Sequence, residues 1–393
     1  MSIQLNRGRD SSRRGTILVL TTVMLAMLVG FVAFAIDTGV MCVARAEAQN
    51  AADSAALAAA WELLDQDRLK GAPDMTQEIS DARAEASIYA GLNAIRYANP
   101  LVDLNTGNSP EGDVVVGYLH DPTNQAEAIS FDNPSQFNTV RVRIRRNEAM
   151  NGPIQLFFAA IFGQDTADVT ATGTATFKDG VVGYRVTDKT GNAELLPLAL
   201  HVDAWTQLLN GTLTIGDSYT VDPETGAVSN GPDGILELNL YPGAGPTQLP
   251  PGNFGTVDIG SPNNSTADIS RQILEGVNAN DLSYFGGQLL VGESGLDING
   301  DTGLSAGIAD ELAAIEGIPR AIPIFDTVSG PGNNSTFHVV GFAGIRITNV
   351  RLTGSMGSKE VVIQPGYVVD DAVITDEGSG PSYFVYKPVQ LVR

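Results

Sequence analysis

Only one cysteine, Cys42, occurs in 393 residues, so no disulfide framework can staple the chain and stability must come from packing. Positive charge is scarce as well: 23 Lys and Arg stand against 45 Asp and Glu, for a net charge of −22. A body this acidic repels phosphate backbones, which argues against nucleic-acid partners. Catalytic signatures are also missing. The chain has no P-loop, GxSxG elbow, HExxH pattern or GxGxxG loop, and His120, His201 and His338 are far apart. These gaps predict a protein with no catalytic residues and no cofactor.

What is present is concentrated at the start. Arg7, Arg9, Arg13 and Arg14 crowd residues 1–15, with Asp10 as the only acid there. Residues 16–36, TILVLTTVMLAMLVGFVAFAI, carry no charge at all. As a helix they would rise ~30 Å, the thickness of bilayer hydrocarbon. Arginines before the run and Asp37 directly after it place the N-terminus in the cytoplasm and the bulk outside. Two processing alternatives stand beside a retained anchor. Ala33-Phe34-Ala35 fits a signal-peptidase site, although the apolar run is longer than such signals need. Cleavage after Gly15 would follow type IV prepilins, but these carry Glu at the fifth mature position, where this chain has Leu20. Thr22, Ala26 and Gly30 lie four apart, a spacing that lets membrane helices pack closely.

The helical pattern runs on past Asp37 through an Ala-rich, proline-free stretch, so one long helix is expected, broken by Gly71 and Pro73. Ile36, Val40, Val43, Glu47, Asn50, Ser54, Leu57, Trp61 and Leu64 form a heptad seam with a polar middle. Arg45 and Asp53 share nearly the same face, with Gln49 midway between them, either as a surface for a partner helix or as a solvated relay. Asp74 and Gln77 have the form of a capping box for a second helix reaching about Tyr97.

Gly15 after Arg13-Arg14, then Asp37, Gly39, Arg45 and the block Gln49-Asn50-Ala51-Ala52-Asp53, followed by Ala55-Ala56-Leu57-Ala58, resembles the N-terminal segment of TadE/TadG-like proteins of Flp (tight-adherence) pilus assembly. The resemblance implies an inner-membrane anchor working with other pilus-assembly or envelope proteins, and it names no enzymatic activity. Asp37, Gly39, Arg45, Gln49, Asn50 and Asp53 are then the candidate assembly surface, with self-association through the N-terminal helix as one use of it.

Beyond the helices, 113–120, 138–146 and 167–177 alternate as strands, and the apolar 152–163 looks like a short helix. This α-β-β-α-β order suits a pilin-like layer. In 138–146, Arg141, Arg143 and Arg145 alternate with apolar residues, which gives either a solvent face or a docking stripe for an acidic neighbour. After Asp179, Gly- and Pro-bounded pieces at 213–215, 234–240, 256–259, 288–291, 337–342, 345–350 and 360–364 read as strands, with helices at 266–275 and 305–316. The expected fold is α+β: a tail (1–15), a transmembrane helix (16–36), an extended helical segment (37–98), a small pilin-like α+β module (99–178) and a β-rich exported domain (179–393).

One metal candidate remains. Asp297, Asn299 and Asp301 open like a calcium loop, but the sixth position is Thr302 and the twelfth Ile308, where Gly and Glu belong. No DxSxS motif of a von Willebrand type A metal site occurs. The expected role is a structural or assembly component of an Flp-type pilus or related envelope secretion system. The alternatives are an envelope module that binds calcium, a glycan or a surface partner, and an exported hydrolase with a dispersed site.

Overall fold

A computed structural model describes residues 11–71, 73–124, 126–241, 249, 252–330, 332–355, 358–376 and 382–392. Most of the basic tail, including Arg7 and Arg9, therefore lies outside the described residues. The chain is α+β and divides into two compact units. The first comprises 1–58, 83–115 and 141–174, and the second 59–82, 116–140 and 175–393.

Helix α1 runs unbroken over Ser11–Trp61, 51 residues. At 1.5 Å per residue it is about 75 Å long. Its apolar part fits a membrane and its distal part is the spine of the first unit. Ala44, Ala48, Ala51, Ala52, Ala55 and Ala56 are fully buried along one face. The larger seam residues are not the buried stripe: Ile36, Val43 and Trp61 are 42%, 44% and 45% exposed. Alanine wins that face because a methyl group lets the helix backbone approach its neighbour closely. The neighbour is the strand Val169–Lys178, where a Cβ on Gly173 would fall 2.6 Å from the Ala52 carbonyl and 2.7 Å from the Asp53 amide.

Helix α2 spans Thr76–Leu92. Asp74 caps it as expected, accepting the Thr76 N–H at 3.1 Å, while Gln77 turns away to donate to Asp81 at 2.9 Å. It stops short of Tyr97 because Ile95–Ala98 closes a tight reverse turn by two reciprocal backbone bonds. Strands Val114–Gly117, Thr139–Arg146 and Val169–Lys178 lie side by side in that order. The helix expected in 152–163 is instead a two-residue strand, Ile154–Gln155, followed by the 3-10 turn Ala159–Phe162. A left-handed Gly163 (φ 81°) ends that turn before it can lengthen.

Strands in the second unit close on themselves. Leu198–His201, Phe254–Val257, Leu296–Asp301, Ser335–Arg351 and Arg320–Ser329 pair successively around a ring, and the last pairs in parallel with the first. Each ring strand is thereby paired on both sides, while Glu360–Pro365 and then Leu238–Asn239 extend the sheet outward from Ser335–Arg351. Leu198, Leu200, Ile322, Ile324 and Ile345 feed one core together with Trp205, Ile269 and Leu312 from three flanking helices. Ala199, Ala321, Val339 and Phe337 feed a second core on the opposite face. The two strands expected at 337–342 and 345–350 are one continuous strand. Gly344 does not break it; it makes room where a Cβ would come within 2.1 Å of the Gly366 carbonyl and 2.6 Å of that of Phe384. The helix expected at 266–275 is present with its Ser265–Asp268 capping box. The segment 305–316 splits into the 3-10 turn Ala306–Ile308 and the helix Ala309–Ala314.

Gly173→Ala is expected to lower the stability of the detergent-solubilised protein by about 1–3 kcal/mol, since a rigid helix backbone must move to admit the methyl group. Gly39→Ala has open space around the new atom and is expected to leave stability unchanged or slightly higher. Thermal melting of the two variants side by side checks both.

Candidate functional site

The polar residues of α1 do different jobs. Asp37 is buried at 7% exposure. Its Oδ1 accepts the Phe157 N–H at 2.8 Å, and its Oδ2 accepts those of Phe158 and Ala159 at 3.0 and 2.7 Å. The turn Ala159–Phe162 has no side-chain cap of its own. Asp37 supplies one from 120 residues upstream, meeting amides that the first helical turn leaves without partners. Burial pushes its carboxyl up, but the amides of Phe157, Ala159 and Phe158 outweigh that and hold it below the ordinary aspartate value.

Farther along, Gln49 Nε2 donates to Asp53 Oδ1 at 2.7 Å and to the Thr172 carbonyl at 2.9 Å. The relay expected between Arg45 and Asp53 is thus half formed, and it is tied to the adjacent strand. Glu47, read as a seam position, accepts the backbone N–H of Arg96 at 2.8 Å. That bond braces a turn in which Arg96 and Tyr97 both hold positive φ, 47° and 70°, a conformation usually left to Asn and Gly. Tyr97 is 93% exposed there. Nothing in local sequence marks this turn, because Glu47 lies 49 residues away. Gly39, Arg45 and Asn50 are exposed, and among the described residues neither Arg45 nor Asn50 has a side-chain hydrogen bond or ion pair. These three are what the folded chain leaves over from the predicted surface.

The basic stripe is largely occupied from within. Arg145 pairs with the fully buried Asp113 through Nε and through an Nη2–Oδ2 hydrogen bond, both at 2.8 Å, and Arg143 reaches the same carboxylate at 3.4 Å. Arg141 donates to the Pro110 carbonyl. One side of the strand thereby ties down residues 110–113.

On the apolar part of α1, Thr22, Ala26 and Gly30 are all exposed. Thr21 and Thr22 return their hydroxyls to the carbonyls of Ile17 and Leu18 at 2.8 and 2.9 Å. Hydroxyls satisfied within the helix suit a hydrocarbon environment, where no water is present to meet them.

Elsewhere the chemistry is structural. Asp297, Asn299 and Asp301 sit on the strand Leu296–Asp301, not on a loop. Alternate strand residues lie ~7 Å apart, so the outer two carboxylates are separated by ~13 Å, too far to share one ion. Asp297 instead meets His338 Nδ1 at 2.8 Å, Asn299 donates to Asp258 at 2.9 Å, and Asp301 lines a cavity of about 330 Å³ with Thr256, Asn264 and Ser305. His201 caps the helix Val202–Leu209, accepting from the Asp203 amide at 3.1 Å. Asp65, Asp67 and Glu78 bring carboxylate oxygens within 4.8 Å of one another, a grouping that sequence reasoning passed over. Burial pushes the Glu78 carboxyl up and the charges of Asp67 and Asp65 add to it, while Lys70 pairs with Asp67.

Asp370 is a buried carboxyl held well above the ordinary aspartate value. Burial raises it to about 6 although the Ala372 amide opposes the shift; its oxygens accept from Glu194 and Ala372 N–H at 2.7 and 2.8 Å.

These features define a class: a folded α+β body carried on one helix long and apolar enough to cross a membrane, with the helix pinned to its own unit by Asp37, Glu47 and Gln49. Family models agree. One described as Flp pilus-assembly TadE/G-like matches residues 15–62, and one described as Tad-like Flp pilus-assembly matches residues 42–175. Over residues 15–175 the chain is therefore similar to TadE/TadG-like pilus-assembly proteins. No curated protein and no solved structure matches the chain.

Asp37→Ala is expected to strip hydrogen-exchange protection from the amides of Phe157, Phe158 and Ala159, with Asp37→Asn, which keeps one acceptor oxygen, losing less. Because the Asp37 pKa is depressed, wild-type protection should persist through neutral pH and fall only as pH drops through that lowered value. Asp370 has the opposite sign. Its folded pKa of about 6 lies above the unfolded value near 3.9, so its contribution is complete below about pH 4 and is lost as pH rises through 6. The melting temperature should rise between pH 7 and pH 5, and Asp370→Asn should flatten that rise.

Proposed function

We propose that this chain is a membrane-anchored, non-catalytic assembly component of an Flp/Tad-type pilus or a related envelope secretion system. Its N-terminus lies in the cytoplasm and its bulk outside the bacterial inner membrane. The observation that carries the reading is the continuity of α1. One helix passes from a wholly exposed apolar stretch into a face of buried alanines, with Asp37, Glu47 and Gln49 fastening the folded unit to it. Family models for pilus-assembly segments span that same junction. The arginines before the span and the acid after it support the orientation.

Partners in this reading are other assembly or envelope proteins, or further copies of the chain, meeting α1 through Gly39, Arg45, Asn50 and the exposed seam residues Ile36 and Val43. Thr22, Ala26 and Gly30 offer a close-packing stripe within the bilayer. An assembly component needs specific surfaces rather than a reaction centre, and the three histidines fit that account. His201 serves a helix cap, His338 meets the Asp297 carboxylate, and His120 stands beside Tyr118.

Deleting the gene in its source bacterium should abolish pilus assembly and adherence. Arg45→Glu should fail to restore them while the variant accumulates at wild-type level, since Arg45 supports nothing within its own fold. Unchanged piliation, adherence and envelope secretion in the deletion strain would rule the proposal out.

A further inference from the structure

Residues 149–164, between Glu148 and Asp165, form a charge-free stretch well beyond the apolar helix. In the fold this stretch holds the Ala159–Phe162 turn; Ile154 is buried, but three large apolar side chains in and beside the turn are left out of the packing. Phe157, Ile161 and Phe162 are 64%, 78% and 86% exposed. Leaving two phenylalanines and an isoleucine in water forfeits most of the transfer free energy their burial would supply. The Asp37 clasp fixes where they are. Three backbone amides at 157–159 are held within 3.0 Å of the carboxylate one residue past the apolar span. If α1 crosses the bilayer, the turn stands at the membrane surface and can reach nowhere else.

We propose that the turn is a second membrane contact, with Phe157, Ile161 and Phe162 inserted into the headgroup–acyl boundary of the bilayer that α1 spans, on the side where Asp37 emerges. The inference rests on the membrane-anchor reading above. Three observations favour lipid over a protein partner. Phe34 and Ile36, the last large apolar residues of the span before the Asp37 clasp, are exposed as well, at 72% and 42%. The stretch carries no charge for a partner to recognise. Its leading amides are already met by Asp37, so the backbone can enter a water-poor layer without orphaned donors. Interfacial segments sink ~5–10 Å into this boundary, a depth that Phe and Ile side chains on a surface turn can reach.

The test uses the full chain reconstituted into vesicles containing lipids brominated at shallow or deep acyl carbons, with tryptophan emission read over the wild-type background of Trp61 and Trp205. Phe162→Trp should lose about half or more of its added emission to shallow bromines and less to deep ones, as an interfacial depth requires. Tyr97→Trp, next to Arg96, whose amide is held by Glu47 ten residues beyond Asp37, should lose none. Phe31→Trp, within the span, should be quenched by deep bromines. Quenching of Phe31→Trp without quenching of Phe162→Trp overturns this inference and leaves the anchor intact; a turn shielded from lipid by a second copy or another protein gives that same result. Absence of quenching at both positions overturns the anchor reading and this inference with it.

Discussion

The bond between Asp37 and the amides of Phe157–Ala159 is the constraint on which the membrane-proximal structure depends. A helix that leaves a bilayer is free to swing about its exit point unless something holds it. Here a carboxylate directly past the apolar span meets three N–H donors from a turn that cannot cap itself. The carboxylate is buried, and burial alone would favour its protonation; the donors reverse the balance and keep it charged. The clasp therefore does two things with one group: it ends the apolar span with an acid and it fixes the tertiary position of the turn.

Farther along the helix the same economy recurs with weaker groups. Alanines bring the helix close, Gly173 lets the strand accept it, and Gln49 and Glu47 each tie a loop or strand backbone to the helix side. Such bonds fix register, because an amide or carboxylate finds its partner at only one axial position. What is left exposed, Gly39, Arg45 and Asn50, is interspersed among residues already committed to the fold. A partner at this surface would read a helix whose rotation and height are already set.

The sequence revealed the elements that depend on local pattern. The charge-free run, the Ala-rich helix, the strand at 138–146 and the capped helix at 266–275 all follow from periodicity and caps. The polar residues of α1 stood out because their surroundings are so bland. Their partners did not, since a hydrogen bond to residue 157 leaves no mark near residue 37. The buried face went unread for a related reason: hydrophobic scoring draws attention to Ile, Val and Trp, whereas close approach favours alanine. The ring in the second unit was hidden as well. Its closure depends on a parallel pairing of Leu198–His201 with Arg320–Ser329, and short strands do not announce their neighbours. Asp297, Asn299 and Asp301 matched the opening of a calcium loop by spacing alone, and the strand they occupy spreads them apart.

The uninterrupted α1 also has a mechanical meaning. A helix of 51 residues with neither proline nor a break at the end of its apolar span has no hinge there, and its far half is fastened to its own unit at Asp37, Glu47 and Gln49. Torque or axial thrust applied to the apolar half cannot dissipate at a joint between the halves. It passes along the rod to the strands of the first unit, so the helix transmits motion as a drive shaft does.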